Sequence, residues 1–199
     1  MSWRKYTNKA ETDNGSSLAS VRIIFDNYDD ENTEPRKGAL LKVKDYTLGA
    51  EDSITLNPSD VASIQLVEGT NFTATTSNAE TAESIATAIS GVSGFTAEAE
   101  AGYEDGPWVS VYYDPATLTN MSSDDTAAWE WWTKNATNGT IMAVAQDSTG
   151  TVKHQPIYSD SHGFFSAFLN APVTFDVVPQ KSGYPIDITR TEELFLADS

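Results

Sequence analysis

The sequence has no cysteine and only two histidines, His154 and His162, so it lacks most of the side chains that catalytic and metal sites use. Without cysteine the chain can form no disulfide, no thiolate metal site and no cysteine nucleophile. It also lacks the motifs of a nucleophile elbow, a phosphate-binding loop, a zinc-binding HExxH helix and a dinucleotide-binding turn. We therefore expect a protein that is not an enzyme and that holds no cofactor and no metal.

Long hydrophobic runs are absent as well. No apolar stretch approaches the roughly 18 residues that a membrane-spanning helix needs. The polar start, Met1 to Lys5, is not followed by the apolar segment of a signal peptide. We expect a protein that binds no membrane, and assembly in the cytoplasm is favoured.

Basic residues are scarce, with 12 Lys and Arg against 29 Asp and Glu and a net charge of -17. Residues 1–50 are neutral, whereas residues 51–199 hold 4 basic and 21 acidic residues. Such a surface repels a phosphate backbone, so we expect no direct nucleic-acid binding. A need for solubility alone would also explain the acidity. Because 39% of the residues are hydrophobic, the chain can fill a core.

Short alternating segments predict a mainly β protein. Residues 95–101 (FTAEAEA) alternate strictly, which indicates a strand with one wet face. One segment, at about 78–90, has helical period instead, with Ser77 and Glu80 in capping-box spacing and Gly91 at its end. Its predicted buried face is Ala79, Ala82, Ile85 and Ile89. We predict α+β character: an antiparallel sandwich or barrel with this one helix packed on a sheet.

The domain organisation predicted from the sequence is simple. Residues 1–19 are polar and aperiodic, which predicts an extended N-terminal arm that is mobile unless something docks it. Residues 20–199 are predicted to form a single β-rich domain, with a possible subdivision near 114–139.

The segment Trp129-Glu130-Trp131-Trp132 is the best small-molecule candidate, since exposed indoles offer flat faces to sugars. Asp124 or Asp125 would cap a short helix here, on which Trp129 and Trp132 share a face. They would then anchor the core or a subunit contact, and we favour this second interpretation. Helical spacing also predicts one buried turn at residues 164–169.

Two further groups have a weaker chemical interpretation. The acidic loop at 26–34 offers carboxylates for calcium, but its spacing does not match an EF-hand and a solvated loop is favoured. Asp160, Ser161 and His162 contain the residue types of a hydrolase. Because sequence neighbours rarely converge, a turn is favoured there, and His154 falls in a predicted strand.

The block from Ser53 to about Tyr113 resembles a module common in tailed-bacteriophage virion proteins. In that module a strand and a Gly-x-x-Phe turn lead into an alanine-rich helix and then a strand pair. The matching pieces are Ser53 to Leu56 (SITL), Glu68 to Phe72 (EGTNF), Glu80 to Ile89 (ETAESIATAI) and Phe95 to Ala97 (FTA). The resemblance implies a structural role in the tail, the neck or the capsid surface, and it carries over no catalytic residue.

The resemblance implies a non-enzymatic virion structural subunit that self-assembles or docks onto neighbouring virion proteins. Its partners would be other copies of itself and other virion proteins, and it would reside in the virion after assembly in the host cytoplasm. The alternative is a carbohydrate-binding module that uses Trp129 to Trp132. The arm would place cations and one apolar anchor on an acidic neighbour, and the apolar tail would be a docking peptide or pack on its own domain. The interface candidates are Trp3, Arg4, Lys5, Lys9, Trp129, Trp132, Leu194, Phe195 and Leu196.

Overall fold

The computed structural model describes residues 2–12, 14–27, 36–47, 52–74, 76–100, 107–132, 140–151, 155–181 and 190–194. The chain divides into two compact units: residues 1–34 with 142–199, here called the terminal unit, and residues 35–141, here called the inserted unit. This differs from the predicted single domain at 20–199, because strands near the two chain ends pair with each other.

Antiparallel strands dominate both units, together with one helix in the described residues. In chain order the elements are β1 (Ser2–Lys9), β2 (Arg22–Asn27), β3 (Arg36–Val43), β4 (Ser53–Pro58), β5 (Ile64–Val67), α1 (Asn78–Ser90), β6 (Phe95–Glu100), β7 (Trp108–Tyr113), β8 (Leu118–Ser123), β9 (Trp129–Trp131), β10 (Thr140–Met142), β11 (Ile157–Tyr158), β12 (Phe164–Ala171), β13 (Val173–Gln180) and β14 (Arg190–Leu194). The predicted mainly β fold with α+β character is confirmed, and the described strands form open sheets and no closed barrel.

The terminal unit has two sheets around one core. The first pairs β1 with β12, and the second has the order β11-β2-β13-β14. Four aromatic side chains fill the space between them: Tyr6, Phe25, Phe165 and Phe175. The Tyr6 ring meets the Phe175 ring edge-on, with centroids 5.0 Å apart, and the Phe25 ring in the same manner at 5.9 Å. Edge-to-face pairs of this kind add about 0.5–1.5 kcal/mol each beyond the area that they bury.

Residues 2–9 are part of this unit and not a free arm. Residues 2–9 form β1, which pairs with β12 from Ser2 opposite Ala171 to Lys9 opposite Phe164. The predicted arm is therefore wrong for these residues. Sequence periodicity did not reveal the strand, because Tyr6 alone of its described side chains packs against the hydrophobic core.

The inserted unit also packs two sheets around a core, with a helix added. The larger sheet has the order β10-β3-β7-β6, with β9 also paired to β3, and the smaller has the order β5-β4-β8. Helix α1 packs on β6, β7 and β3. Alternate residues of β3 and β4 point into the shared core, as the period of a strand requires.

Helix α1 begins as its sequence predicts. The backbone N–H of Glu80 donates to the Ser77 hydroxyl at 3.2 Å, which satisfies one of the donors left open at a helix start. The residues buried on its inner face are Thr81, Ala82, Ile85, Ala86 and Ile89. Ala79 was predicted on this face, but it is exposed because it lies about 120° around the helix from Ile85. No helix in the described residues combines the length and the apolar character that crossing a membrane requires.

Replacing Ile85 by Ala tests how much the packing of α1 contributes. Ile85 is fully buried, so the loss of its side chain should lower the free energy of unfolding by about 2–5 kcal/mol. Denaturant titration of both proteins measures the difference. The control is Val61→Ala, which removes a side chain that is 53% exposed and should cost less than about 0.5 kcal/mol. An equally small loss at Ile85 would show that the helix is peripheral.

Candidate interaction surfaces

The outer edge of the larger sheet in the inserted unit is formed by β6. It pairs on one side with β7, with Ala97 opposite Val111 and Ala99 opposite Val109. In an antiparallel pair, every second residue turns its backbone N–H and C=O away from the partner strand. The bonds of Ala97 show which residues do so here: its N–H donates to the Ser90 hydroxyl at 2.9 Å, and that hydroxyl donates back to its carbonyl oxygen at 3.1 Å.

A groove runs beside this edge, between β6 and the C-terminal half of α1. Its lining combines small side chains with the exposed carboxylate of Glu83, and consists of Glu83, Ala86, Thr87, Ser90, Gly91, Ala97, Glu98 and Ala99. Glu98 is exposed too, but its side chain lies on the face of β6 opposite those of Ala97 and Ala99. Ser90 holds the last turn of the helix against the strand edge through its two bonds to Ala97. The arrangement offers backbone donors and acceptors together with negative charge.

The groove belongs to a long stretch of sequence without any cation. Residues 45–133 contain 15 Asp and Glu and no Lys, Arg or His. No basic side chain of this stretch can therefore neutralise Glu83 or Glu98, and its carboxylates together favour cations over anions.

A second group of carboxylates lies where β4 meets β8. Burial raises the pKa of Asp52 above its usual value, and the nearby charges of Asp125, Asp124 and Glu68 raise it further. Burial also acts to raise the pKa of Asp124, but hydrogen bonds from the Ser53 backbone N–H, at 2.6 Å, and hydroxyl, at 2.9 Å, lower it overall.

These carboxylates do not make a metal site. Nowhere in the described residues do three or more Asp, Glu or His side chains converge so that they could hold a metal ion. Of the acidic loop predicted at 26–34, Asp26 lies buried in β2, and residues 28–34 lie outside the described residues.

The tryptophan segment forms a strand and not the predicted helix. In β9, Trp131 pairs with Leu41 and Trp129 with Val43. Trp129 is fully buried and meets the Phe72 ring edge-on, with centroids 5.6 Å apart. Trp129 therefore belongs to the core, and as an interface candidate it was wrong.

The alternation of side chains along this segment explains why the helix prediction was wrong. Trp129 and Trp131 are two residues apart and point inward, while Glu130 between them is exposed and lies 3.4 Å from the Lys44 ammonium. Trp132 is half-buried, and its backbone N–H donates to the Leu40 carbonyl at 2.8 Å. Of the two tryptophans of this segment that were predicted at an interface, only Trp132 keeps an accessible surface.

The four candidates in β1 contact their own chain or solvent. The indole of Trp3 packs on the turn at Gly150, where an added Cβ would lie 2.8 Å from its Cε2. Arg4 and Lys5 are exposed. The Lys9 ammonium lies 2.5 Å from a Glu11 carboxylate oxygen and 5.6 Å from the centroid of the Phe164 ring, so Lys9 contacts its own chain.

The remaining candidates are only partly placed. Leu194 ends β14 and packs at the margin of the terminal core, whereas Phe195 and Leu196 lie outside the described residues. His154 also lies outside them. His162 is exposed in a turn, with its Nδ1 3.2 Å from the Ser161 hydroxyl.

Comparison with known proteins adds little. No family model matches the sequence, and no curated protein matches it. A crystal structure of FliD (HAP2) from Pseudomonas aeruginosa aligns over 94% of this chain and 70% of its own, with 10% sequence identity and a TM-score of 0.31. A TM-score this low supports no transfer of function.

Hydrogen exchange tests whether residues 2–9 are a strand. Their pairing with β12 should make the amides of this segment exchange on the order of 100-fold more slowly than unstructured amides. Mass spectrometry of exchanged and digested protein measures this, with the exposed loop at residues 60–63 as the fast-exchanging control. An exchange rate at residues 2–9 as high as that of the loop would show that this segment is an arm, as the sequence predicted.

Asp52→Asn tests the raised pKa by its effect on thermal stability. The folded state disfavours the ionised form of Asp52, so the ionised carboxylate lowers the free energy of unfolding. This destabilisation is present above the folded pKa of Asp52 and disappears as the pH falls through that pKa. The variant should therefore have a higher Tm than the wild type at pH 7, and the difference should shrink towards pH 4. Circular dichroism melts at both pH values measure it.

Asp147→Asn is the control, because its effect on Tm should have the opposite sign. Hydrogen bonds from Thr149 and Thr151 lower the pKa of Asp147 to about 2, so its charge stabilises the folded state at neutral pH. This variant should melt lower than the wild type at pH 7, with the loss fading as the pH falls towards 2. A lower Tm for Asp52→Asn at pH 7 would contradict the assignment.

Proposed function

We propose that the chain is a non-enzymatic structural subunit of a tailed-bacteriophage particle, in the tail, the neck or the capsid surface. It self-assembles or docks onto neighbouring virion proteins. The observation that carries the proposal is the form taken by the block at 53–113: β4, β5, a turn, α1, β6 and β7 follow in the order of the virion module that the sequence resembles.

The Gly-x-x-Phe turn supports this most directly. Gly69 has a φ of 75°, a left-handed conformation that glycine adopts without strain, and its N–H donates to the Phe72 carbonyl at 2.8 Å. Phe72 is only 3% exposed and packs into the core beside Trp129. The turn thus places an aromatic anchor under the helix that follows, which gives both motif residues a structural reason.

The geometry around His162 favours a structural role over a hydrolytic one. Asp160 accepts hydrogen bonds from the backbone N–H of His162 at 2.8 Å and of Phe164 at 2.9 Å. Its carboxylate therefore closes the turn, and it does not orient the imidazole as the acid of a triad would.

The carbohydrate-binding alternative has less support. Trp129 and Trp131 are 0% and 8% exposed, so neither indole presents a face to a sugar. Trp132, which is half-buried, would have to bind alone.

The proposal is tested by reconstitution. Particles purified from cells that carry the gene should contain the chain at a repeated copy number, measured by quantitative peptide mass spectrometry. Particles from a deletion strain should lack it and regain it when the purified chain of 21.6 kDa is added. The control is His162→Ala, which should be incorporated equally well. Absence of the chain from wild-type particles would contradict the proposal.

A further inference from the structure

We propose that the groove between α1 and β6 binds an extended, cationic segment of a neighbouring protein, which adds to the sheet as a strand alongside β6. The inference rests on the proposed function in one respect, that the neighbour is a partner in an assembly.

The backbone of β6 supplies the hydrogen-bonding groups that strand addition needs. Ala99 lies two residues beyond Ala97 and therefore turns its N–H and C=O to the same outer side. Within the described residues neither group has a hydrogen-bond partner. An edge of this kind is a template for a further strand, and main-chain bonds then supply the affinity.

The shape of the groove leaves room for a backbone. Ala86, Ala97 and Ala99 contribute only methyl groups, while Glu83 and Thr87 are exposed on the helical wall. A neighbouring strand lies about 4.8 Å from its partner, so small side chains beside the edge are what a close approach requires.

Charge selects the kind of segment. Glu83 on the helix and Glu98 on the strand are both exposed, and residues 45–133, which include α1 and β6, contain no Lys, Arg or His. Because Ala97 and Ala99 face the helix, the side chain of Glu98 between them lies on the opposite face of the sheet. A segment with cations on both of its faces would place one beside Glu83 and another beside Glu98. An acidic segment of the same length would be repelled.

Ser90 occupies part of the site as a stand-in for a strand. Its hydroxyl accepts from the Ala97 N–H and donates to the Ala97 carbonyl, as the backbone of an added strand would. Elsewhere in the chain, the Gln155 amide bonds both backbone groups of Phe25 in the same way, and the Ser159 hydroxyl accepts from the Val21 N–H and donates to the Leu18 carbonyl, but those side chains are each only 5% exposed. Ser90 is exposed and can rotate away, so Ala97 is available to an incoming strand.

The test uses the purified full chain and a fluorescein-labelled nine-residue peptide of Lys-Lys-Thr repeats, which places lysines on both faces of an added strand. Fluorescence anisotropy should show binding that weakens with salt, and a Glu–Thr peptide should not bind. The double variant Glu83→Gln, Glu98→Gln should weaken binding roughly 3- to 10-fold, as expected for two exposed ion pairs. Glu193→Gln removes an exposed carboxylate in the other unit and should leave binding unchanged.

Ala99→Pro separates strand addition from simple charge attraction. Proline removes the outward N–H, whereas the control Ala99→Ser keeps it. Binding should be lost in the first variant and retained in the second, with circular dichroism confirming that both fold. Equal binding by both variants would overturn the inference. An unchanged affinity in the double Gln variant would also overturn it, and this measurement remains decisive if Ala99→Pro does not fold.

Peptide binding and incorporation into particles are separate measurements. A chain that enters particles but does not bind the peptide would refute the groove and leave the proposed function intact. A chain that binds the peptide but is absent from particles would refute the proposed function.

Discussion

The pairing of residues from opposite ends of the chain is the constraint on which the terminal unit depends. Strand β2 pairs with β13 from Asn27 opposite Phe175 to Arg22 opposite Gln180, and the Arg22 guanidinium donates to the Gln180 side-chain oxygen across 158 residues of sequence. Closing so long a loop has a high entropic cost, which is lower if the intervening residues are already compact. The inserted unit satisfies this condition, since α1, β6 and β7 pack with near neighbours in sequence.

At three places a side chain forms hydrogen bonds with backbone groups that have no neighbouring strand to pair with. The Gln155 amide accepts from the Phe25 N–H at 2.6 Å and donates to the carbonyls of Phe25 and Met142, both at 2.9 Å. The Ser159 hydroxyl accepts from the Val21 N–H and donates to the Leu18 carbonyl, and the Ser90 hydroxyl bonds both backbone groups of Ala97. A buried backbone group without a partner costs about 1–3 kcal/mol, so the two buried cases are structural necessities. The exposed case at Ser90 has no such justification, since water could satisfy Ala97.

Elements whose side chains follow one clear period were predicted correctly from the sequence. The prediction was wrong where the order of large and small side chains hid that period. Helix α1 was predicted from its spacing and its Ser77 cap, both of which are local signals. Residues 164–169 were predicted as a helical turn because their aromatic residues suggest that spacing, yet they lie in β12, with Phe165, Ala167 and Leu169 buried and Phe164 exposed. The small Ala167 concealed the alternation. The groove could not be predicted, because the contact of Ser90 with Ala97 depends on how the turn between α1 and β6 folds.

Charge decides which strand edges can meet. On β1, Lys5 is exposed, and lysine along an edge is one means by which proteins prevent unwanted strand pairing. On β6 two of the residues that turn their backbone outward, Ala97 and Ala99, are alanines, and the exposed charge of Glu98 is negative. Two copies of β6 placed edge to edge would bring like charges together, which disfavours pairing of identical edges. The same carboxylates favour a cationic strand. The charge of β6 therefore disfavours pairing with a second copy of itself and favours pairing with a strand of opposite charge.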